Sequence, residues 1–310
     1  MQHSFPCLKR CGEMNVMATI ETVKTRIVTV ELLQTVVRTM KTLAAVSIRK
    51  QEKAIQTLDE YSRTIEMGMV ILLRQGAGEI VEQPRTTEGR LGAVILGSDQ
   101  ELCGRFNEQV VSFSRDKLRE LEPDESRRCI LSVGGRTHTH LAESGEKVEE
   151  MVPAPVSVTG ILATVNSILV TMDEWAARRR IDRVVVCYNR LLFGTVCAPR
   201  VLLLMPFDRE RLRELSTRQW TGPTIPLYTM DRDRLFSLLI RHSLFAALYL
   251  ALAESMAAEN ASRLASMQAA EKNISERLDE LNLRFRDLRQ GAITEELLDI
   301  VAGFEAMTSR

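Results

Sequence analysis

The side chains with the greatest potential for chemistry are the cysteines and histidines. The six cysteines lie at positions 7, 11, 103, 129, 187 and 197, with no C-x-x-C pair. In a chain of 310 residues this spacing predicts free thiols in a reducing compartment rather than a disulfide framework. His138 and His140 form an H-x-H pattern near Glu143, an arrangement that could hold a metal ion. The two glycines before them favour a polar loop instead, and we predict no metal site.

The loop at residues 97–104 follows a predicted strand, which is where an α/β sheet would place a ligand. A phosphate-binding loop would need a glycine-rich motif, and the chain has neither G-x-x-x-x-G-K-[ST] nor G-x-G-x-x-G. Asp99 and Glu101 would repel a phosphate, and Arg105 is the only cation close in sequence. Cys103 could act as a nucleophile only beside a base, and no base is identifiable. We therefore predict no catalytic residue and no cofactor.

These loops and thiols belong to a central region of alternating strands and helices. Short buried strands are predicted at residues 91–96, 129–133, 184–188 and 201–205, and helices near 106–121 and 160–180. This alternation indicates a small, Rossmann-like, doubly wound sheet. Because only a loop joins the last two strands, one edge of the sheet should be antiparallel.

On either side of this region the chain avoids helix-breaking residues. Neither glycine nor proline occurs in residues 14–67 or 227–290. Both windows are several times longer than an average globular helix of about 11–12 residues. The predicted domains are an N-terminal helix over 19–75, an α/β domain over 76–226 and a C-terminal helix over 227–310. Residues 1–18 break the pattern and are predicted to be a disordered extension or a misassigned start.

Both long helices carry an apolar seam in alternating steps of three and four residues. The first seam runs over residues 20–48 and the second over residues 250–292. Their polar interruptions are Gln34, Lys41, Asn260 and Glu271. A seam sustained with a period of 3.5 residues predicts a left-handed coiled coil. We expect the two helices to form it with each other, in antiparallel orientation.

The formal net charge is zero, with 41 Lys and Arg against 41 Asp and Glu. This balance excludes a dedicated nucleic-acid-binding protein, which normally carries a basic excess. The two long helices have opposite balances, +3 over residues 19–74 and −3 over residues 227–310, which favours their pairing. The longest apolar run has ten residues, half of the roughly 20 that a membrane helix needs, so we predict no direct membrane insertion.

The long helices also carry apolar residues away from the seam. These residues are Leu32, Leu33, Val36, Leu43, Leu244 and Leu248. A solvated helix would not expose so many of them, so either a partner or the globular domain should cover them.

Several strings of residues carry a resemblance to a known family. Residues 293–306 read ITEELLDIVAGFEA, and the loop from Ser98 to Gly104 is followed by Asn107. Further matching positions are Arg26, Ile27, Gln34, Met40, Lys41, Arg49, Lys50, Glu254, Ser255, Arg263, Met267, Ala270, Asn273, Arg289 and Gln290. Together they resemble the gamma subunit of rotary ATP synthases, over about residues 19–306. Glu101, Arg105 and Phe304 depart from the family pattern, which marks a divergent member.

The resemblance implies the central-stalk rotor of a proton- or sodium-transporting ATP synthase. In that family the antiparallel coiled coil turns inside a ring of alpha and beta subunits. The sheet domain contacts the epsilon subunit and the membrane ring of c subunits. The beta subunits hold the catalytic nucleotide sites, so a non-catalytic subunit without cofactor or metal is implied. Its place would be peripheral, on the cytoplasmic face of the bacterial inner membrane.

The resemblance also implies roles for residues of the two helices. The positions that match beta-subunit contacts are Met40, Arg289, Gln290 and Thr294. The positions that match an apolar tail in a bearing at the top of the ring are Leu297, Ile300 and Val301. Ordinary solvated or seam-flanking positions are the alternative interpretation.

Two other functions remain open from the residues. A coiled-coil adaptor with a ligand-sensing α/β domain would form a stable oligomer without ATPase partners. An enzyme that uses Cys103 would show a thiol-dependent activity of the isolated chain. A sodium-linked branch of the family is a further alternative to the proton enzyme, because the ion is chosen in the membrane ring and not in this chain.

Overall fold

Two helices far longer than average dominate the architecture. The computed structural model describes residues 6–74, 89–179, 181–206, 209–218 and 228–308. The N-terminal helix spans Pro6–Arg74 and the C-terminal helix spans Arg232–Thr308. This confirms the two long helices predicted from the placement of glycine and proline. The predicted junctions with the α/β domain, at 75–76 and 226–227, lie outside the described residues.

The ends of the two helices differ in detail from the prediction. The N-terminal helix begins at Pro6, inside the stretch 1–18, whose assignment as an extension or misassigned start stays a prediction. Both helices continue through glycines, at Gly12, Gly68, Gly291 and Gly303. A glycine inside a helix costs only about 1 kcal/mol relative to alanine. Such a cost does not end a helix that is held by packing.

The chain divides into two compact units. One consists of Met1–Thr42 with Met267–Arg310, and the other is Leu43–Ser266. The first, the tip unit, contains paired segments of the two long helices. The second, the base unit, contains the remainder of both helices together with a sheet.

The sheet of the base unit has five strands. They are β1 (Arg90–Leu96), β2 (Arg128–Val133), β3 (Val148–Val152), β4 (Ile181–Phe193) and β5 (Val196–Met205). Their order across the sheet is β3-β2-β1-β4-β5. The first four are parallel to their neighbours, and β5 runs antiparallel to β4. The predicted doubly wound sheet with one antiparallel edge is therefore confirmed.

Helices cover both faces of this sheet. They are α1 (Phe106–Leu121), α2 (Gly135–Glu143), α3 (Ile161–Arg179) and, outside the sheet layers, α4 (Arg209–Thr217). Apolar residues of α1 and α2 pack on one face, around Ile95 and Leu141. Residues of α3 and of the C-terminal helix pack on the other, around Val94 and Leu248. Successive residues of β1 thus point to opposite faces, and both faces are buried, as expected for a parallel sheet.

Three elements of the base unit were not predicted. The polar loop expected around His138 and His140 is wrong, because these residues lie in α2. Strand β3, with the sequence VEEMV, is an edge strand and lacks the apolar run by which the other strands were recognised. Helix α4 has a strongly polar sequence, RERLRELST, and only its two leucines are buried.

One window of the C-terminal helix is apolar enough, over 18 residues, to cross a membrane by length and composition. Such a window is weak evidence alone, because the core helix of a soluble protein meets the same test. In this helix Leu248, Ala251, Leu252 and Met256 pack in the core of the sheet. Because only 22% of the window is buried, packing against the sheet accounts for part of its apolar composition.

Candidate subunit-interaction surfaces

The predicted seam is the buried side of the helix pair in the tip unit. Val23 on the N-terminal helix is buried, as are Met267 and Leu281 on the C-terminal helix. The other seam positions from Ile20 to Lys41 and from Glu271 to Ala292 are half-buried. The burial of these positions therefore confirms the sides of the two helices that the heptad pattern predicted to face each other.

Two of the four polar interruptions, Lys41 and Glu271, contact each other across the helices, and a third, Asn260, contacts a glutamine of the other helix. In the tip unit Lys41 Nζ lies 2.5 Å from Glu271 Oε2, and Arg38 Nε donates to Glu271 Oε1 at 3.0 Å. Hydrogen bonds from Lys41 and then Arg38 lower the pKa of the Glu271 carboxyl. In the base unit Asn260 Nδ2 donates to Gln51 Oε1 at 3.4 Å.

The base unit shows that the helices run antiparallel. Tyr61 Oη lies 2.8 Å from His242 Nδ1, and Gly68 packs against Leu239. As residue numbers rise along the N-terminal helix, those of their neighbours on the C-terminal helix fall. This confirms the predicted antiparallel pairing.

The apolar residues outside the seam fall into two groups. Leu248 is fully buried and Leu244 half-buried in the core of the sheet. Leu32, Leu33 and Val36 are instead exposed, with 64%, 52% and 54% of their surfaces open. Leu43 is also exposed. The sheet domain thus covers the two leucines of the C-terminal helix, as expected. The four apolar residues of the N-terminal helix remain uncovered and form an exposed apolar face.

The residues predicted to contact the beta subunits lie on both helices of the tip unit. Met40 is half-buried beside the seam, and Arg289, Gln290 and Thr294 are exposed. The Thr294 hydroxyl donates to the Gln290 carbonyl at 2.9 Å, so one of its hydrogen bonds stays within the helix. Among the described residues, Arg289 has no ion-pair partner.

The predicted bearing tail is an exposed apolar segment. Leu297, Ile300 and Val301 are all more than half exposed. Phe304, where the family resemblance expects alanine, is 66% exposed. Exposed apolar side chains of this kind suit a surface that contacts another protein.

The loop where an α/β sheet would place a ligand is filled by side chains of this chain. Asn107 Oδ1 accepts hydrogen bonds from Ser98 N at 3.0 Å and from Thr137 Oγ1 at 3.1 Å. Asp99 accepts from Gly135 N at 2.6 Å and from Ala154 N at 3.0 Å. The first backbone amide of α2, Gly135 N, which could bind a phosphate, is therefore engaged by a carboxylate.

The two departures from the family pattern in this loop have partners in the chain. Glu101 forms an ion pair with Arg136. Arg105 forms one with Glu108, with Nε 2.9 Å from Oε2. The added charges are thereby offset locally, on an exposed surface where solvent screens each ion pair.

Three of the described thiols are poor nucleophiles. Burial raises the pKa of Cys103, and it raises the pKa values of Cys187 and Cys197 to about 11. All three are therefore protonated near neutral pH, whereas a catalytic cysteine needs a lowered pKa. This disfavours an enzyme that uses Cys103.

The histidines also find ordinary partners. His138 Nδ1 lies 3.3 Å from Ser132 Oγ, and His140 Nδ1 lies 3.5 Å from Glu143 Oε2. In the part of the chain that the structure describes, no group of three or more His, Cys, Asp or Glu could hold a metal ion.

One contact that the sequence did not predict ties the C-terminal helix to the sheet. Glu254 accepts from Tyr188 Oη at 2.8 Å and lies 3.0 Å from Arg190 Nε, both on β4. Ser262, two turns further on, donates to the Cys103 carbonyl at 2.6 Å. The sequence did contain a signal for this contact. Glu254 interrupts a long apolar run, and an acidic side chain is buried only where it has partners.

Two long helices pair along an apolar seam, and one of them also packs on a doubly wound sheet. The C-terminal helix ends in an exposed apolar segment. Together these features define a stalk-type subunit of a larger assembly. A family model described as ATP synthase matches residues 19–307. The chain therefore belongs to the ATP synthase family, as a gamma-type subunit.

Individual relatives agree with this assignment. The ATP synthase gamma chain of Leptothrix cholodnii is 27% identical over 295 residues, covering 94% of this chain and 100% of that protein. That of Chlorobium phaeobacteroides is 28% identical over 304 residues, covering 94% and 99%. Among solved structures, a chain of the Euglena gracilis mitochondrial ATP synthase rotor has a TM-score of 0.62 at 16% identity, covering 89% of this chain and 99% of that chain. This last similarity concerns the fold alone.

Proposed function

We infer that this chain is the central-stalk rotor subunit of an ion-translocating ATP synthase. Its rotation couples ion flow through the membrane ring to ATP synthesis or hydrolysis in the catalytic ring. The observation that carries this inference is the family match over residues 19–307, on a chain with two paired long helices. Nothing in the geometry favours the alternative of a ligand-sensing adaptor, because the ligand-loop position is filled.

The subunit itself is proposed to be non-catalytic. The described loops offer no phosphate-binding glycine motif, and the pKa values of three described thiols, those of Cys103, Cys187 and Cys197, are raised. ATP chemistry would then belong to the beta subunits. The proposed partners are the alpha, beta, epsilon and c subunits, with the complex on the cytoplasmic face of the bacterial inner membrane.

The tip unit has the asymmetric surface that a rotor needs. A shaft must present a different face to each beta subunit as it turns. The N-terminal helix exposes the apolar residues Leu32, Leu33 and Val36. The C-terminal helix exposes Arg289 and Gln290. We propose that Met40 and the exposed residues 289, 290 and 294 contact the beta subunits, and that residues 297–301 lie in the bearing.

Co-expression with the alpha and beta subunits of the same organism tests this function. The expected result is a stable complex that hydrolyses ATP, purified through a tag on this chain. A chain that assembles only with itself, while alpha and beta co-purify without it, would contradict the rotor and favour the adaptor. Leu33→Asp should weaken the complex, whereas Glu31→Asp, an exposed and conservative change on the same helix, should not.

A further inference from the structure

Each helix of the tip unit carries a charged residue in its apolar seam, and these two residues contact each other. Lys41 Nζ lies 2.5 Å from one carboxylate oxygen of Glu271, and Arg38 Nε lies 3.0 Å from the other. One carboxylate on the C-terminal helix is thus held by two cations that are about one turn apart on the N-terminal helix.

We propose that the contact of Glu271 with Lys41 and Arg38 sets the register in which the two helices pair. An apolar seam alone defines the register weakly, because every heptad offers similar side chains to the partner helix. A single polar position in a coiled-coil seam is an established means of selecting one register among several. Glu271 occupies such a position here.

A shift by one heptad in either direction would separate these charges. The seam residues that Lys41 and Glu271 would then face are Leu264 and Gln34 in one direction, and Leu278 and Ile48 in the other. In the observed register the side chains of Lys41 and Glu271 are only 35% and 24% exposed. Placed against Leu264, Leu278 or Ile48, these charges would lose each other and part of their contact with water, which disfavours the shifted pairings.

The register has a functional consequence, and this step rests on the proposed rotor function. Met40 lies on one helix, whereas Arg289 and Gln290 lie on the other. A slip by one heptad would displace one set of contact residues by about 10 Å along the axis relative to the other. We therefore regard Glu271, Lys41 and Arg38 as positioning residues. They fix where the contact residues of one helix lie along the axis relative to those of the other.

Pulsed electron paramagnetic resonance on the full chain measures this register directly. Spin labels carried on unnatural amino acids at positions 24 and 279 leave the native cysteines in place. Both positions are exposed and lie in the tip unit, one on each helix. The variants are Glu271→Lys, Glu271→Gln, the double variant Arg38→Glu with Lys41→Glu, and the triple variant that exchanges all three charges. Glu276→Lys is the matched control, because Glu276 pairs with Lys272 on its own helix.

We expect one distance in the unmodified chain and in the control. Glu271→Lys and the double variant should each add a second population displaced along the axis by about 10 Å. Glu271→Gln should add a smaller fraction of it, and the triple variant should restore the single distance. An unchanged single distance in Glu271→Lys, or a triple variant that stays heterogeneous, would overturn the proposal. The distances do not depend on other subunits, so failure of the chain to assemble with alpha and beta would count against the rotor function alone.

Discussion

At the scale of single residues, burial shifts the pKa of two ionisable groups of the base unit. Burial and a hydrogen bond to Glu254 both raise the pKa of Tyr188. Burial likewise raises the pKa of Cys187. Each group is thus held in its neutral form. The neutral Tyr188 hydroxyl keeps the proton that it donates to Glu254 on the C-terminal helix.

The hydroxyl of Tyr188 should contribute to stability. Tyr188→Phe removes the donor to Glu254 and leaves a buried carboxylate with one partner fewer. We expect a loss of about 1–2 kcal/mol in the free energy of unfolding, measured by urea denaturation. Tyr249→Phe is the control, because the Tyr249 hydroxyl has no hydrogen-bond partner among the described residues. Equal losses in the two variants would contradict this role of the hydroxyl.

The thiol of Cys187 should make stability fall at alkaline pH. Its pKa is raised from 9.0 to about 11 in the folded chain. Between these values the unfolded state releases a proton that the folded state keeps. The contribution of this thiol to the free energy of unfolding is therefore fully present below pH 9. It decreases by about 1.4 kcal/mol per pH unit as the pH rises towards 11. Urea denaturation at several pH values should show a shallower decline in Cys187→Ala, and identical slopes would contradict the expectation.

Arg289 and Gln290 should matter in the complex and not in the folded chain. Both are exposed, so Arg289→Ala with Gln290→Ala should change the free energy of unfolding by no more than about 0.5 kcal/mol. If they bond to a beta subunit, losing two hydrogen bonds of about 1 kcal/mol each should slow ATP hydrolysis by the complex roughly tenfold or more. Arg284→Ala, another exposed arginine of the same helix, is the control for charge.

At the scale of elements, the sequence was informative wherever local pattern decides the structure. Helix α1 occupies Phe106–Leu121, the range predicted from its apolar period. The seams of the long helices were equally local. Helix α2 was missed because its first amide is capped by Asp99, 36 residues earlier in the chain. The contact between Lys41 and Glu271 was also missed, although two seam interruptions of opposite charge were a signal for it.

The cap from Asp99 should be the main support of α2. Asp99→Ala removes acceptors for Gly135 N and Ala154 N and should cost about 1–2 kcal/mol. Hydrogen exchange should be faster in Gly135–Glu143 than in the unmodified chain. Asp116→Ala, at an exposed position of α1, should leave that exchange unchanged. Protection of α2 that is equal in all three chains would rule out this cap as its support.

At the scale of the whole molecule, we expect the exposed apolar end of the C-terminal helix to matter for assembly with other subunits and not for the stability of the folded chain. A chain that ends at residue 292 loses residues 293–307, whose side chains are almost all exposed, and the three residues after them. Its free energy of unfolding should therefore stay within about 0.5 kcal/mol of the full chain. If the tail lies in a bearing, the truncated chain should bind alpha and beta subunits more weakly in co-purification. A large loss of stability would show instead that the tail packs on its own chain.

The pairing of the first and last helices also has a consequence for synthesis. Arg38 and Glu271 are 233 residues apart in the chain. At about 5–20 residues per second, the N-terminal helix leaves the ribosome roughly 10–50 seconds before its partner exists. Helix formation takes about a microsecond, so throughout this interval the seam is an unpaired apolar stripe. The sheet can fold meanwhile, and the coiled coil forms last, which makes the N-terminal helix a natural client for chaperones that hold apolar segments.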